Sequence, residues 1–251
     1  MKTITFIGNG NMALSIAKGI KNTFKIEVVG RSLQSLDKFE EKLGVSVKKV
    51  LMNDYDITDK RVILCVKPAN ILEVGEKLVG DASELYSVLA GTTVEILKEN
   101  IKSKATVRVM PNLAASVGAS LTTLTGDLEL KDKACELFDF IGQTIWLNSQ
   151  KELDIATAVA GSGPAYLALI HEAFCDGAVK QGMKRVDAIN VANGLFAGFG
   201  KLVSTTHTAL LKDGVMSPGG TTAAGYSALE ENGVRYGCMK AIEDAFQVTQ
   251  K

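Results

Sequence analysis

A chain of 251 residues, 46% hydrophobic and 22% charged, carries enough apolar side chains for one large domain or two modest ones, which excludes a disordered protein. Lysine plus arginine equal aspartate plus glutamate at 28 each, so no global field draws the chain onto nucleic acid or an anionic membrane. Neither is expected as a partner, and an anionic ligand must be met locally.

No apolar run in the sequence approaches the roughly 20 residues of a membrane span. Met1-Lys2 leads directly into a short apolar strand rather than a signal peptide, and a cytoplasmic location is expected. Cys65, Cys135, Cys175 and Cys238 stand far apart among apolar neighbours, the pattern of small buried hydrophobes. His171 and His207 are the only histidines, too few parts for a histidine-rich metal site or a Ser-His-Asp triad. His171 reads as a hydrogen-bonded residue near an apolar helix face and His207 as surface or interface.

The first half alternates strand and helix patterns. Thr3 to Ile7 reads as a strand, Met12, Ile16 and Ile20 mark one face of a helix, and Ile26 to Val29 is the next strand. A helix follows near Leu36 to Leu43. Val62 to Val66 has the length of a buried parallel strand, and Lys67-Pro68 stops it before a helix expected over Ile71 to Val79. Leu85 to Ala90, Ala105 to Met110 and Gln143 to Leu147 read as later strands. This alternation predicts an α/β chain with an N-terminal Rossmann-type, doubly wound parallel sheet over residues 1–150.

The pattern changes at Ser149. Ser149 and Glu152 have capping-box spacing ahead of the helical run Leu153 to Val159. Gly163-Pro164 suits the start of a long helix with Leu167, Ile170, Phe174 and Ala178 on one face. Further helices are expected at Val186 to Val203, Thr221 to Glu231 and Val234 to Gln247. Residues 151–251 therefore form an all-helical C-terminal domain. The small residues Ala188, Ala192, Gly194, Ala197, Gly198 and Gly200 would let other helices approach closely.

The chemistry begins at Gly8-Asn9-Gly10-Asn11-Met12-Ala13. The first glycine permits a tight turn after a strand, the second lets the backbone approach a pyrophosphate, and the helix N-terminus behind them favours negative charge. Where an NAD enzyme carries an acid at the end of its second strand, this chain has Gly30-Arg31-Ser32. A guanidinium and a hydroxyl there suit a 2′-phosphate, so NADPH is the expected cofactor and NADH the alternative. Cys65-Val66-Lys67-Pro68, Ala90-Gly91 and Met110-Pro111-Asn112 end strands where open α/β sheets bind ligands. Lys67 is a candidate for a ribose hydroxyl or substrate oxygen, or an ordinary surface lysine; Asn112 is a candidate polar contact near the nicotinamide. The cofactor set is completed by Asn53.

Two segments of the helical half depart from ordinary helix sequence. Gly161-Ser162-Gly163-Pro164-Ala165-Tyr166 is a flexible helix entry. In Ser217-Pro218-Gly219-Gly220-Thr221-Thr222-Ala223-Ala224-Gly225, a proline turn and two glycines expose backbone N–H groups ahead of a helix, which suits a carboxylate as well as a simple cap.

Together with Val66-Lys67-Pro68, Met110-Pro111-Asn112 and Asp176-Gly177-Ala178-Val179, these segments resemble the pyrroline-5-carboxylate reductase family almost end to end. The resemblance implies NAD(P)H-dependent reduction of 1-pyrroline-5-carboxylate to L-proline, the last step of proline biosynthesis, by an enzyme of the CH–NH oxidoreductase class. It further implies that Ser217, Gly219, Gly220, Thr221 and Thr222 hold the substrate carboxylate, with the Thr222 hydroxyl facing the ring nitrogen as the catalytic contact. The helical domain becomes a dimerisation domain of a homodimer or higher homo-oligomer, each active site drawing on both chains. Gln150, Gly214 and Tyr226 depart from the family pattern, where a glutamate, an asparagine and an aliphatic residue are usual. Two other readings stay open: a β-hydroxyacid or 6-phosphogluconate-type dehydrogenase with Lys201 as general acid/base, and a non-catalytic NADP(H)-sensing protein.

Overall fold

A computed structural model describes residues 1–250. One compact unit runs from Met1 to Ser162 and includes the chain from Ala245 onward; the other is Gly163–Asp244. The sequence pattern places the change of architecture at residue 150. In the fold, the helix beginning at Gln150 and the π-helical turn Thr157–Gly161 belong to the first unit.

The first unit opens with β1 (Thr3–Ile7), α1 (Asn11–Ile20), β2 (Lys25–Gly30), α2 (Leu33–Leu43) and β3 (Lys48–Leu51). Helix α1 buries Ala13, Ile16, Ala17 and Ile20, the three- and four-residue spacing of one helix face. Helix α2 starts where the Ser32 hydroxyl accepts from the Ser35 N–H at 3.3 Å and stops at Gly44, in the left-handed region at φ +74°. The chain continues through β4 (Tyr55–Asp56), β5 (Arg61–Leu64), α3 (Ile71–Gly75), β6 (Leu78–Val79), β7 (Glu84–Ser87), α4 (Val94–Asn100) and β8 (Thr106–Met110). It ends with β9 (Ser120–Gly126), α5 (Lys131–Phe138), β10 (Gly142–Trp146) and α6 (Gln150–Ala156).

Eight strands form one sheet in the order β10-β9-β8-β7-β5-β1-β2-β3. Val28, Phe6, Ile63, Tyr86 and Val107 lie in register across five adjacent parallel strands and point into one core with α1, α2 and α5. Ile7, Val29, Val62, Leu64 and Leu85 point into a second core with α3 and α4. Period-two alternation thus fills both faces, as a covered parallel sheet requires.

The sheet is parallel-dominated, as expected, with one antiparallel pair: β9 runs against β8, pairing Val107 with Gly126 and Met110 with Thr123. The connection 111–119 is shorter than the dozen or so residues that a parallel crossover needs. The helix expected over Ile71–Val79 ends at Gly75, where a Cβ would lie 2.5 Å from the Asn100 carbonyl oxygen. Leu78 and Val79 then extend to pair with Tyr55 and Asp56 in a separate ribbon.

The second unit consists of α7 (Gly163–Lys180), α8 (Arg185–Leu202), α9 (Thr208–Val215), α10 (Thr221–Glu231) and the greater part of α11 (Val234–Thr249). Helices α7 and α8 form a hairpin that reverses at Gly182, φ +100°. Its buried apolar residues are Cys175, Ala188 and Ala192. The expected α7 face is not covered within the chain: Leu167 and Phe174 are exposed, and Ile170 and Ala178 half-buried. The reading of all four cysteines as buried hydrophobes is also corrected. Cys175 is buried, Cys65 and Cys135 are half-buried, and Cys238 is exposed on α11. The continuous helical stretch 150–180 meets the length and composition of a membrane span, a criterion that the core or interface helix of a globular protein also meets.

On β2, one strand in from the edge of the sheet, Glu27 is buried and ionised. Burial pushes its carboxyl up, but the Lys48 ammonium at 2.7 Å, Tyr55, Lys60 and the Thr5 hydroxyl at 3.0 Å outweigh burial and lower it from 4.5 to about 2. A carboxyl depressed in the folded state stabilises fully above its unfolded value and loses that contribution as the pH falls through the folded value. The unfolding free energy of the native chain, from urea titrations, should therefore drop between pH 4.5 and 2, by on the order of 2 kcal/mol from this group after allowing for solvent at Lys48. Glu27→Gln should be less stable at pH 7 and flatter over that window; parallel curves for the two would contradict the assignment.

Candidate functional site

The turn between β1 and α1 is fixed by two glycines with different tasks. Gly8 has φ +100°, donates its N–H to the Val29 carbonyl at 2.9 Å, and leaves no space: a Cβ would sit 2.7 Å from the Cys65 carbonyl oxygen. Gly10 is the N-cap of α1 in extended conformation, and a Cβ there would meet nothing within 4 Å. Gly8 therefore closes the turn, and Gly10 keeps the outer side of the helix N-terminus open. No side chain caps that N-terminus, so its first-turn N–H groups are left without a side-chain acceptor, an arrangement that suits an anion such as a pyrophosphate.

Strands β1 and β5 are neighbours whose connections leave toward opposite sides of the sheet, which makes their carboxyl ends the topological switch point. A cavity of about 450 Å³ opens there. Of the predicted residues it gathers Gly8, Asn9, Gly10, Arg31, Val66 and Lys67. Asn11 and Met12 follow in the first turn of α1, outside the cavity wall. Arg31 is exposed at the end of β2; Ser32 beside it caps α2 with its hydroxyl oxygen and keeps its own O–H to donate. Asn53 is exposed just beyond β3, and its neighbour Met52 lines the cavity in its place. Pro68 begins the 3₁₀ turn that leads into α3. Asn70 and Glu73 of the following turns also line the cavity, and sequence reading passed over both.

The other predicted contacts lie at the carboxyl ends of β7 and β8. Ala90 and Gly91, with Gly91 at φ +68°, form the loop that Thr93 closes by capping α4. Asn112 is half-buried and partly committed: its Oδ1 accepts from the Ala114 N–H at 3.0 Å, which leaves the amide NH2 as its free donor. Gln150 holds this end of the sheet together. Its Oε1 accepts from the Val94 N–H at 2.8 Å and from Arg108 at 3.3 Å, while its Nε2 donates to Glu95 at 3.0 Å.

In the second unit, Ser217-Pro218-Gly219-Gly220 is a tight turn closed by the Gly220 N–H donating to the Ser217 carbonyl at 3.0 Å. Proline second and Gly219 third, at φ +68°, are the residues such a turn requires. Gly220 is the N-cap of α10, without a side-chain cap, because a Cβ there would collide with the Ser217 hydroxyl. The N–H groups of Thr221 and Thr222 are therefore available to a carboxylate; Thr222 is half-buried and Thr221 exposed. The departures from the family pattern are accommodated: Gly214 stands in open space, and the Tyr226 hydroxyl accepts from Arg235 at 2.8 Å, alongside the Arg235–Glu230 ion pair. His171 bonds Asn193 at 3.0 Å and packs edge-on against Phe196. His207 caps α9. Lys201 is exposed in the last turn of α8.

Comparison with known proteins places these features in context. Residues 150–251 match the family profile described as pyrroline-5-carboxylate reductase dimerisation, and residues 3–90 match that of the coenzyme F420-dependent NADP oxidoreductases. A pyrroline-5-carboxylate reductase of Glycine max is 37% identical over 96% of this chain and 92% of its own length. Among solved structures, the 1-pyrroline-5-carboxylate reductase of Streptococcus pyogenes superposes with a TM-score of 0.87 at 32% identity, covering 98% of this chain and 97% of that one. The pyrroline carboxylate reductase of Plasmodium falciparum, solved with NADP bound, gives 0.82 at 27% identity, covering 98% of each chain.

The two glycines of the turn separate folding from binding. Gly10→Ala should leave thermal stability within about 0.5 kcal/mol, since the site is open and the backbone suits alanine, while weakening dinucleotide binding at least about tenfold. Gly8→Ala should destabilise the whole first unit. Equal loss of stability in the two variants would refute this division of labour.

Proposed function

The chain belongs to the pyrroline-5-carboxylate reductase family, and from that premise we propose that it reduces 1-pyrroline-5-carboxylate to L-proline with NADPH. The observation that carries the reading is the Ser217–Thr222 turn. It builds an uncapped helix N-terminus with two hydroxyls in its first turn and no lysine or arginine in the loop, which suits a small amino-acid carboxylate.

The residues present fit the dinucleotide: Gly10 leaves open the cradle that a Cβ would narrow, and Arg31 and Ser32 offer charge-assisted donors to a 2′-phosphate. When bound, the nicotinamide supplies the hydride. The chain's own part is positioning. The Thr221 and Thr222 N–H groups fix the substrate carboxylate, and the Thr222 hydroxyl bonds the ring nitrogen. Hydride addition turns the C=N double bond into a C–N single bond, and a proton completes the nitrogen. Protonation makes the imine carbon electrophilic, so no strong general base is required, which suits a site without histidine. In this reading Asn112 and the Ala90-Gly91 loop border the nicotinamide, and Lys67 borders a ribose.

A homodimer formed through the helical unit completes the proposal, because Leu167, Phe174, Leu195 and Phe199 are exposed in a single chain. Light scattering should report twice 26.7 kDa or a higher even multiple; a stable monomer would sink it. The protein is then a soluble enzyme of the cytoplasm.

The activity is tested by following NADPH oxidation with 1-pyrroline-5-carboxylate. Rapid turnover is expected, with none on β-hydroxyacids plus NADP; the reverse would make it a hydroxyacid dehydrogenase, and binding without turnover a sensor. Thr222→Ala should cut kcat by about 100-fold and leave the NADPH Kd unchanged, while Thr222→Ser retains most of the rate. Unchanged turnover in the alanine variant would remove Thr222 from the chemistry.

A further inference from the structure

The switch-point cavity is lined by residues of α3 as well as by Arg31. The 3₁₀ turn from Pro68 and the short α3 bring Asn70, Glu73 and Val74 to the cavity, at the spacing of one helix face, and the end of β2 brings Gly30 and Arg31. The cavity therefore holds a guanidinium and a carboxylate together. Glu73 is half-exposed and paired with Lys77 at 2.6 Å one turn later. Its carboxyl is held below the ordinary range, first by that hydrogen bond to Lys77 and more weakly by the charge of Arg31. It is thus an anion at neutral pH beside a basic contact for the ribose phosphate.

We infer that Glu73 is a specificity-determining residue which supplies, from α3, the acid that the end of β2 lacks, so that one adenosine pocket accepts NADH through Glu73 and NADPH through Arg31. The inference rests on the reading of this cavity as a dinucleotide site. A carboxylate accepts the hydrogen of a ribose 2′-hydroxyl and repels a 2′-phosphate; a guanidinium binds the phosphate and offers the hydroxyl little. In NAD-selective turns the acid stands at the end of the second strand itself. Here that place is occupied by Arg31, and the acid comes from α3. Lys77 is half-exposed and draws part of the Glu73 charge away, which softens the repulsion and lets both cofactors bind.

The test is calorimetric titration of the intact protein with NADH and with NADPH, in the absence of substrate, at low and at high salt. Glu73→Gln should weaken NADH about fivefold and tighten NADPH about threefold at low salt, with the gap closing as salt screens the charge. Arg31→Gln should weaken NADPH about tenfold and leave NADH within about twofold. The position is at the surface, so both variants fold; thermal unfolding verifies that. An unchanged ratio of the two dissociation constants in Glu73→Gln, or a shift of both in one direction, would overturn the inference and show a simple surface ion pair with Lys77. Wild-type protein that binds neither dinucleotide would instead overturn the reading of the cavity itself.

Discussion

The close approach of Gly8 to the Cys65 carbonyl is the constraint from which the site follows. Strands β1 and β5 are hydrogen-bonded neighbours, and the turn leaving β1 must pass directly over the end of β5. At φ +100° and with a Cβ forced to within 2.7 Å of the Cys65 carbonyl oxygen, only glycine makes that passage without moving the sheet. Once the passage is made, α1 points its N-terminus outward over the carboxyl edge, and Ile16 and Ile20 seat it on the row led by Phe6. The cavity at the switch point is the space left between that helix start and α3. Packing and binding are therefore one geometry: the five-strand row fixes the plane, and the turn fixes where an anion meets it.

Polar residues inside the sheet anchor its other end. In the row that begins Val29, Ile7 and Leu64, the next residues are Ser87 and Arg108. Arg108 is fully buried, and its guanidinium donates to Asp154 of α6 at 2.7 Å. A buried pair of this kind gives little net stability, but loss of one partner leaves an uncompensated charge and costs about 3–5 kcal/mol. It therefore fixes where α6 lies on the sheet. Gln150 belongs to the same network, which explains why it tolerates the absence of a glutamate. Glu95 stands within 3.2 Å of its amide, so a carboxylate there would face another carboxylate, whereas the amide donates to Glu95 and accepts from Val94 and Arg108.

What the sequence discloses depends on the range of the interaction. The glycine turn, α1, α2 and the central strands were legible because their signals are local: apolar periodicity, a cap residue, a glycine after a strand. Strand β3, with the charged sequence Lys48-Lys49 at the sheet edge, carries no such period. The ribbon of β4 and β6 exists only through pairing between distant segments, and the antiparallel β9 follows from the length of a connection rather than from residue pattern. The candidate site divides in the same way. Gly8, Gly10 and Arg31 sit beside strand ends that announce them. Glu73 and Asn70 lie in a stretch that reads as an ordinary amphipathic helix, and only the folded position of α3 brings them to the cavity. The one available signal was the absence of an acid after β2, which directs the search for a carboxylate to other elements.

The helical unit poses a different physical problem. Cys175, Ala188 and Ala192 are its buried apolar residues, whereas Leu167, Leu169, Phe174, Val191, Leu195 and Phe199 face outward. At about 25 cal/mol per Å², three small side chains cannot offset the backbone entropy of five ordered helices. The apolar surface needed for that is present but lies outside the chain's own contacts, and Gly194, Gly198 and Gly200 have open space around them, room for a helix to approach closely. Contacts within the single chain therefore do not account for the order of this unit, including the Ser217–Thr222 turn at the start of α10, which fits the dimerisation profile that residues 150–251 match. In an assembly through this face, mass action would make the stability of the helical half depend on protein concentration, while the first unit carries two full cores of its own. In such an assembly a substitution on the outward face of α8 would act on the Ser217–Thr222 turn without touching any residue of that turn.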